Sequence, residues 1–377
     1  MIYLDHNATT PICPPAQESL RQSLESNLFG NPSSTHGEGR RARALIDQAR
    51  DQIAQSLECR PSEIIFTGSG TESNNLAILG LAKALSKKGR HIVCSSIEHH
   101  AVLSAVEFLA TEGYEVSFVR PDQHGTVQPA SILAALRPET TLVSLMTANN
   151  ETGVIQPVEE IALACRDRGI LFHTDAVQAL GKMPLHVRSF HAVSAAAHKF
   201  YGPKGVGFLY LEGGLPLTPC LHGGAQENSR RPGTENAAAI AAMAEAVTYS
   251  LAKLDAGEPE RIEKLRDHFE SALGCVWPGC TINGLKANRL PNTSNIRFPG
   301  VSSEDMLMCL DLAGIAASSG AACMVGSIQP SHVLLAMDQS RAAATEVVRF
   351  SFGADTTPHH IDQTLAALAA IRSRLAL

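Results

Sequence analysis

The chain has 377 residues, 44% of them hydrophobic and 18% charged, a composition typical of a soluble globular enzyme with two domains or one domain and a smaller lobe. Its net charge of −6, with no basic stretch longer than residues 39–43, argues against binding to nucleic acid or to a membrane surface. The amino-terminal residues lack a basic region followed by an apolar one, so we expect a cytoplasmic protein without a secretory signal.

From about residue 60 onwards, short apolar runs alternate with longer stretches of helical periodicity. The apolar runs predict strands over 64–67, 91–95, 115–119, 141–146 and 170–174, and the longer stretches predict helices over 72–88, 101–111 and 158–168. This alternation predicts an α/β layered domain with a mostly parallel sheet. Ligands of such sheets bind beyond the carboxyl ends of the strands, where Asp175 would lie.

A second group of elements follows an alanine-rich helix predicted over 235–254. The sequence over 256–259 contains glycine and proline and predicts a domain boundary. Beyond it we expect helices over 261–273, 303–312 and 361–375, and strands over 292–298 and 347–352. These elements predict a smaller α+β lobe.

Nine cysteines are spread along the chain without the paired CxxC spacing of a zinc site, so we expect no metal. An odd number of cysteines in a long cytoplasmic chain indicates reduced thiols, most of them small core residues. This leaves room for one reactive thiol.

Lys199 follows an apolar run over 190–197 that predicts a buried strand, and it comes 24 residues after Asp175, which follows another such run. A lysine and a carboxylate at the ends of neighbouring strands can converge on one ring. Pyridoxal phosphate (PLP) needs this pair, a lysine for its aldehyde and an acidic partner for its pyridinium nitrogen. On spacing alone, an aspartate in a turn and a lysine at the surface is the simpler interpretation.

Residues 67–75 join a strand to a helix with glycines and hydroxyl side chains, and Gly70 and Thr71 lie at the predicted helix start. Free N–H groups at such a start bind anions. A dinucleotide fingerprint does not fit, because Ser73 stands where its third glycine would be. We favour a phosphate cradle, with a plain capped helix as the alternative.

Polar residues follow two further predicted strands. His99 could stack on a planar cofactor or shuttle protons, although a polar residue that ends a strand is the simpler interpretation. Asn149 and Asn150 could donate hydrogen bonds to a phenolate-like oxygen, although asparagine-rich turns are common.

Taken together and in order, nine motifs resemble the PLP-dependent cysteine desulfurases of the NifS/IscS group over nearly the whole chain. The motifs occupy residues 4–11, 29–34, 70–75, 98–99, 149–153, 175–178, 198–205, 231–236 and 318–323. Any one of them is a weak signal, whereas nine in order are specific. The resemblance implies an α/β fold of the fold-type I PLP-transferase class, with a mostly parallel seven-stranded sheet flanked by helices and a smaller α+β C-terminal lobe. We therefore expect a large PLP-binding domain over 16–256, and a small domain over 1–15 and 257–377 that carries the catalytic cysteine.

The resemblance also implies a role for each motif residue. Lys199 would bind the cofactor covalently, Asp175 would pair with the pyridinium nitrogen, and His99 would stack on the ring and move protons. The other implied cofactor contacts are Asn150 and Gln178 to the phenolic oxygen, and Gly70, Thr71, His198 and Thr234 to the phosphate. Thr234 would serve the neighbouring subunit, which implies a homodimer.

The same resemblance implies the substrate and the reaction. Arg349 matches an arginine that grips the substrate carboxylate with its fork of donors, and Asn31 is a further substrate contact. Cys323 would accept the sulfur of L-cysteine as a persulfide, leaving L-alanine. Without the resemblance, Arg349 would be a charge at a strand edge and Cys323 a small buried thiol.

The sulfur would then pass to an acceptor protein for iron–sulfur cluster assembly, tRNA thiolation or another sulfur-incorporation pathway. The alternative is a PLP aminotransferase or lyase of the same fold, such as a selenocysteine lyase, that uses no persulfide. The chain departs from the family in two places. Ala196 stands where a serine hydroxyl usually meets the phosphate, which predicts weaker cofactor binding, and Met324-Val325 stands where Thr-Ser is common.

Overall fold

The computed structural model describes residues 1–319 and 330–375. The helices of the described residues are Pro14–Glu25 (α1), Gly37–Ser56 (α2), Gly70–Ala84 (α3), His100–Thr111 (α4), Pro129–Ala135 (α5), Val158–Arg166 (α6), Ala237–Asp255 (α7), Glu258–Val276 (α8), Ser303–Leu312 (α9), His332–Ala336 (α10), Arg341–Ala344 (α11) and Pro358–Arg374 (α12). The strands are Ile2–Tyr3 (β1), Ile64–Thr67 (β2), His91–Ser95 (β3), Glu115–Val119 (β4), Thr140–Ser144 (β5), Leu171–Asp175 (β6), Ala192–Ala196 (β7), Gly207–Leu211 (β8), Thr281–Ile282 (β9), Thr293–Arg297 (β10), Ile315–Ala316 (β11) and Val347–Ser351 (β12).

The large sheet has seven strands in the order β2-β8-β7-β6-β5-β3-β4. Strand β8 runs antiparallel to both its neighbours, β2 and β7, and the other pairings are parallel. The predicted α/β fold with a mostly parallel seven-stranded sheet is therefore confirmed.

Helices cover both faces of this sheet, because successive side chains of a strand point to opposite faces. Leu171 packs in the cluster that contains residues of α3 and α4, whereas the next residue, Phe172, packs in the cluster that contains residues of α2, α6 and α7. Helix α7 is long and apolar enough to cross a membrane by length and composition, but about half of it is buried in this second cluster. It is a core helix that packs against the large sheet.

A separate apolar cluster lies under a three-stranded antiparallel sheet in the order β12-β10-β9. Phe269 of α8 and Phe350 of β12 stack at 5.1 Å in this cluster, and Leu4 from the start of the chain is buried in it. Strand β1 pairs with β11, which ties the amino-terminal segment to this lobe. The exact domain boundaries stay a prediction.

The parallel strands β2, β3, β5, β6 and β7 all end at the same edge of the large sheet. The segments that follow them carry most of the polar motifs singled out in the sequence. The fold therefore brings these motifs to one place, at the carboxyl edge where ligands of such sheets bind.

Candidate active site

Lys199 and Asp175 lie on neighbouring strands at this edge. Asp175 is the last residue of β6, and Lys199 ends a single 3-10 turn after β7. The Lys199 amine donates to the carbonyl oxygens of Asn7 and Ala8, both at 2.7 Å. The predicted pair, Lys199 and Asp175, thus lies at the carboxyl ends of the two adjacent strands β7 and β6.

The Asp175 carboxylate is 5% exposed and is held by two donors. Its Oδ2 accepts a hydrogen bond from Asn74 Nδ2 at 2.7 Å, and its Oδ1 accepts one from the Val177 amide at 2.9 Å. Each carboxylate oxygen can accept a second bond. The group is therefore oriented and still able to pair with a protonated ring nitrogen.

His99 caps the start of α4, where its Nδ1 accepts a hydrogen bond from the Ala101 amide at 3.0 Å. A neutral ring in this position carries its proton on Nε2. Burial lowers the pKa of His99, Asp175 opposes this change, and Lys199 adds to it. His99 is therefore a neutral imidazole near pH 7, and its Nε2–H donates to no other described residue.

The residue before His99 is a buried acid. Burial, together with the nearby Asp175, raises the pKa of Glu98 to about 8. Its Oε1 accepts hydrogen bonds from Ser95 Oγ at 2.5 Å and from the Met146 amide at 2.8 Å. Glu98 is thus mostly protonated at neutral pH and fixes the segment that carries His99.

The start of α3 lies against the ends of β6 and β7. A Cβ at Gly70 would lie 2.9 Å from Val177 Cγ2 and 3.1 Å from Ala196 Cβ, so only glycine lets the helix approach this closely. Thr71, next to it, is exposed in the first turn of a 15-residue helix. The first N–H groups of a helix have no partner within it and bind anions.

His198 lies beside Lys199 and donates to or accepts from Thr9 Oγ1 at 3.2 Å. Burial, together with Lys199, lowers the pKa of His198 to about 4. A neutral His198 could hydrogen-bond a phosphate but would not balance its charge.

Gln178 is buried, and its Nε2 donates to the backbone oxygen of Asn7 at 2.9 Å. The same oxygen accepts from Lys199. The backbone oxygen of Asn150 accepts from Asn7 Nδ2 at 3.3 Å and from Arg349 Nη1 at 3.0 Å. Asn7 and Asn150 therefore join the lysine side of the site to Arg349.

The side chain of Asn149 is occupied in its own turn. Its Oδ1 accepts from the amides of Glu151 and Thr152, each at 3.0 Å, and its Nδ2 donates to the oxygen of Ile97. This leaves Asn150 as the amide of the pair that is available to a ligand.

Arg349 on β12 is 4% exposed and comes from the small-lobe sheet. Its Nη2 lies 2.8 Å from Asp5 Oδ1 in a buried ion pair. Its Nε is buried and has no hydrogen-bond partner among the described residues. A buried donor without a partner is costly, so this N–H group is well suited to a ligand carboxylate.

Cys323 lies outside the described residues, as do Met324 and Val325. The chain before this stretch is fixed beside Arg349, since Ser318 pairs with it through two backbone hydrogen bonds and donates to Asp5 Oδ2 at 2.8 Å. After the stretch, Ser331 donates to Glu151 Oε2 at 2.5 Å and His332 Nε2 lies 2.9 Å from the oxygen of Glu98. Both flanking segments are thus anchored to residues of the site.

Six of the eight described cysteines are poor candidates for a thiolate, which is the reactive form of cysteine. Burial raises the pKa of these six thiols, namely Cys13, Cys59, Cys94, Cys165, Cys220 and Cys280.

Asn31 and Thr234 are both exposed, and one residue connects their segments. Gln226 donates to Ser33 Oγ at 3.4 Å and accepts from the Gly233 amide at 3.0 Å. The two residues therefore share one exposed region of the subunit.

Asp5, Asn7, Asn74 and Lys182 are among the residues around the site that had no role in the sequence predictions. The first three lie inside the motifs at 4–11 and 70–75, so their position in those motifs was the only signal. Lys182, whose amine lies 2.7 Å from Gln178 Oε1, lies outside every motif.

The donor set fits PLP. It offers an amine for the aldehyde, a buried carboxylate for the ring nitrogen, amides for the phenolic oxygen, and a helix start that is open at Gly70 for the phosphate.

Comparisons with known proteins identify the family of this chain. The aminotransferase class-V family matches residues 2–364. The cysteine desulfurase IscS of Dictyoglomus turgidum is 44% identical over 99% of this chain and 95% of its own length. Among solved structures, a NifS-like protein is 35% identical with a TM-score of 0.92 and covers 99% of both chains. A structure of SspA in complex with cysteine is 34% identical with a TM-score of 0.82, and the match covers 93% of this chain and 99% of that one.

These likenesses extend over almost the full length of the chain and confirm the resemblance found in the motifs. The chain belongs to the class-V aminotransferase family, among its cysteine desulfurases.

Proposed function

We propose that this chain converts L-cysteine to L-alanine with bound PLP and keeps the released sulfur on Cys323 as a persulfide. The observation that carries this proposal is the short link between Lys199 and Arg349. The Lys199 amine contacts the Asn7 oxygen, Asn7 Nδ2 contacts the Asn150 oxygen, and Arg349 contacts that same oxygen. An amine and a guanidinium on two sides of one pocket suit an amino acid.

When bound, PLP withdraws electrons from the α-carbon of the amino acid. Asp175 favours this by keeping the ring nitrogen protonated, since its carboxylate is held toward the site by Asn74 and Val177. The N–H groups at the start of α3, together with Thr71 and His198, would hold the phosphate. Asn150 and Gln178 would donate to the phenolic oxygen.

The remaining residues act on the substrate and on protons. Arg349 binds the substrate carboxylate through Nε, which has no hydrogen-bond partner among the described residues. Lys199 Nζ takes the α-proton, and His99 Nε2 is a second site at which a proton can be held. Because His99 is neutral and its Nδ1 accepts from the Ala101 amide, it presents its Nε2–H group to the site as a hydrogen-bond donor.

Sulfur transfer follows from the choice of nucleophile. The Cys323 thiolate attacks the sulfur of the substrate, the substrate carbon–sulfur bond breaks, and a sulfur–sulfur bond forms on Cys323. The electron pair of the broken bond stays with the β-carbon of the substrate, which takes up one proton. The α-carbon regains a proton in place of the one that Lys199 removed, and the product leaves as alanine. The persulfide is then available to an acceptor protein.

The cysteine complex of the related SspA supports L-cysteine as the substrate. The test is to incubate the PLP-loaded protein with cysteine, measure alanine, and measure the mass of the protein. We expect one added sulfur on the wild type and on a Cys275→Ala control, which removes an exposed thiol, and none on Cys323→Ala. Full alanine formation by Cys323→Ala in the presence of a thiol reductant would contradict the assignment and favour a lyase.

We further propose a homodimer in which Thr234 contacts the phosphate of the neighbouring subunit, and in which Asn31 lies near a substrate site. The exposure of both residues, and the link through Gln226, support a role at a subunit boundary. Subunits with Lys199→Ala and subunits with Thr234→Ala should regain cofactor retention and activity when they are mixed, because one site of the hybrid is then intact. If mixing restored nothing, Thr234 would not serve its neighbour.

A further inference from the structure

A second lysine lies next to the proposed cofactor site without a role in it. Lys182 Nζ donates to Gln178 Oε1 at 2.7 Å and to Asn7 Oδ1 at 3.4 Å. It forms no ion pair with a carboxylate within the part of the chain that the structure describes. Lys182 is half-buried, and a lysine shielded from water is usually paired with a carboxylate, so its position needs a reason.

The orientation of both amides is fixed by other contacts. Asn7 Nδ2 donates to the backbone oxygen of Asn150, which can only accept, so Asn7 Oδ1 must point the other way. Gln178 Nε2 donates to the backbone oxygen of Asn7, so Gln178 Oε1 also points away from that contact. Lys182 meets both of these oxygens and can only stabilise them as a donor.

The surroundings of Lys182 are cationic on the site side. Burial, and after it Lys199 and Arg349, lower its pKa well below the usual value. Lys182 also lines a cavity of about 30 Å³, large enough for a water molecule, whose other titratable lining residues are His6, Tyr201, Lys253 and Glu258. Lys182 therefore contacts Gln178 and lines this cavity.

We propose that Lys182 is a positioning residue that fixes the orientation of the Gln178 side-chain amide. In this orientation Gln178 Oε1 faces Lys182, and Gln178 Nε2 faces the ring oxygen of the cofactor. One N–H of Nε2 is used by Asn7, and the second is left for the phenolic oxygen. This inference rests on the proposed binding of PLP at Lys199. With Lys182 absent, Gln178 loses one of the two contacts that oppose a flip, and only the contact from Nε2 to the Asn7 oxygen remains. A flipped amide would present its oxygen to the phenolate.

A hydrogen-bond donor to the phenolic oxygen of the cofactor stabilises the deprotonated form of the cofactor. The lysine-bound cofactor should therefore lose a proton at lower pH when Gln178 is correctly oriented than when it is not. The readout is the pH at the midpoint of the visible absorbance change of the PLP-loaded protein. Loss of one hydrogen bond to a charged group should lower the proton-dissociation constant of the bound cofactor about tenfold, which moves the midpoint to higher pH. A lysine with a purely structural role would not move this midpoint.

The experiment is a double-mutant cycle with Lys182→Met, Gln178→Ala and the double variant. Lys253→Met is the matched control, because Lys253 lines the same cavity but faces the Tyr249 ring at 5.8 Å. We expect both single variants to shift the midpoint to higher pH, the double variant to match Gln178→Ala, and the control to match the wild type.

An unchanged midpoint in Lys182→Met would overturn the inference. Shifts that add in the double variant would also overturn it, because Lys182 would then act through its own charge rather than through Gln178. If Lys182→Met does not fold, Lys182→Leu takes its place in the cycle with the same two outcomes. A wild type without visible cofactor absorbance would instead contradict the proposed function.

Discussion

Replacement of Arg349 with lysine separates the two functions of this residue. Lysine keeps a positive charge opposite Asp5, so it avoids the loss of about 3–5 kcal/mol that follows when one partner of a buried ion pair is removed. It lacks the Nε–H group that has no partner among the described residues and that we assign to the substrate carboxylate. The fold should therefore survive while carboxylate binding weakens.

The size of the effect follows from one charge-assisted hydrogen bond, which contributes about 1.5–3 kcal/mol. Since each 1.4 kcal/mol is a factor of ten, the KM for cysteine should rise about 10-fold to 100-fold, with a smaller change in kcat. The assay is alanine formation against cysteine concentration in the presence of a thiol reductant.

Arg297→Lys is the matched control. Arg297 lies on the adjacent strand β10 and pairs with Glu346 at 2.8 Å, at the end of the strand pair away from Ser351. A KM in Arg349→Lys within twofold of the wild type would refute the reasoning, and so would an equal rise in Arg297→Lys. The first result would mean that another group binds the carboxylate.

Three further outcomes follow from the same structure. Ala196→Ser introduces the hydroxyl that is usual in the family, at a position next to Gly70. We expect PLP to dissociate about 2-fold to 10-fold more slowly, as for the gain of one neutral hydrogen bond. Equal or faster release of PLP would count against a phosphate site at this position. Burial lowers the pKa of His173 to about 3. Below a pH of about 6.5 the unfolded chain therefore binds a proton at this histidine that the folded chain does not bind. The free energy of unfolding in urea should then fall by about 1 kcal/mol between pH 6.5 and 5.5. His173→Asn should lose that part of the pH dependence, and an unchanged slope would show that other groups cause it. Lys199→Ala should lose the visible absorbance of the lysine-bound cofactor, and a variant that kept this absorbance would remove Lys199 from its proposed role.

Much of the large sheet was predictable because its central strands are short apolar runs buried on both faces. The runs before Asp175 and His198 became β6 and β7, and this was enough to bring Lys199 and Asp175 together. The order of the strands was not predictable in the same way. Strand β8 has the same apolar character as its neighbours but enters antiparallel between β2 and β7, which no local pattern indicates.

Two long helices, α1 and α2, were missing from the sequence predictions. Helix α2 buries a narrow row of residues, Ala42, Ile46, Ala49 and Ile53, in an otherwise strongly polar segment. The intervals of three and four residues in this row are a helical signal, but polar and charged residues fill most of the segment around it. The predicted helix over 235–254 begins later, at Ala237, because the side chain of Asn236 caps it by accepting from the Ala239 amide at 3.2 Å.

The polar network around Asn7 was beyond sequence reasoning for a different reason. Its side chain donates to Thr293 Oγ1 at 2.9 Å and accepts from Asn292 Nδ2 at 2.9 Å, residues far away along the chain. A short polar motif near the start of a chain shows neither that its members are buried nor which residues they contact. Lys182 could not be distinguished from a surface lysine for the same reason.

The position of Asn7 also has a consequence for biosynthesis. The backbone at Asp5 pairs with Ser351, and the Asn7 amide donates to Ser351 Oγ at 2.9 Å. The segment whose backbone oxygens accept from the Lys199 amine is therefore held by a residue that is translated more than 340 positions later. A nascent chain can therefore build the sheet and place Lys199 while the pocket still lacks its amino-terminal wall. The site should become able to retain its ligand only after almost the whole chain has left the ribosome.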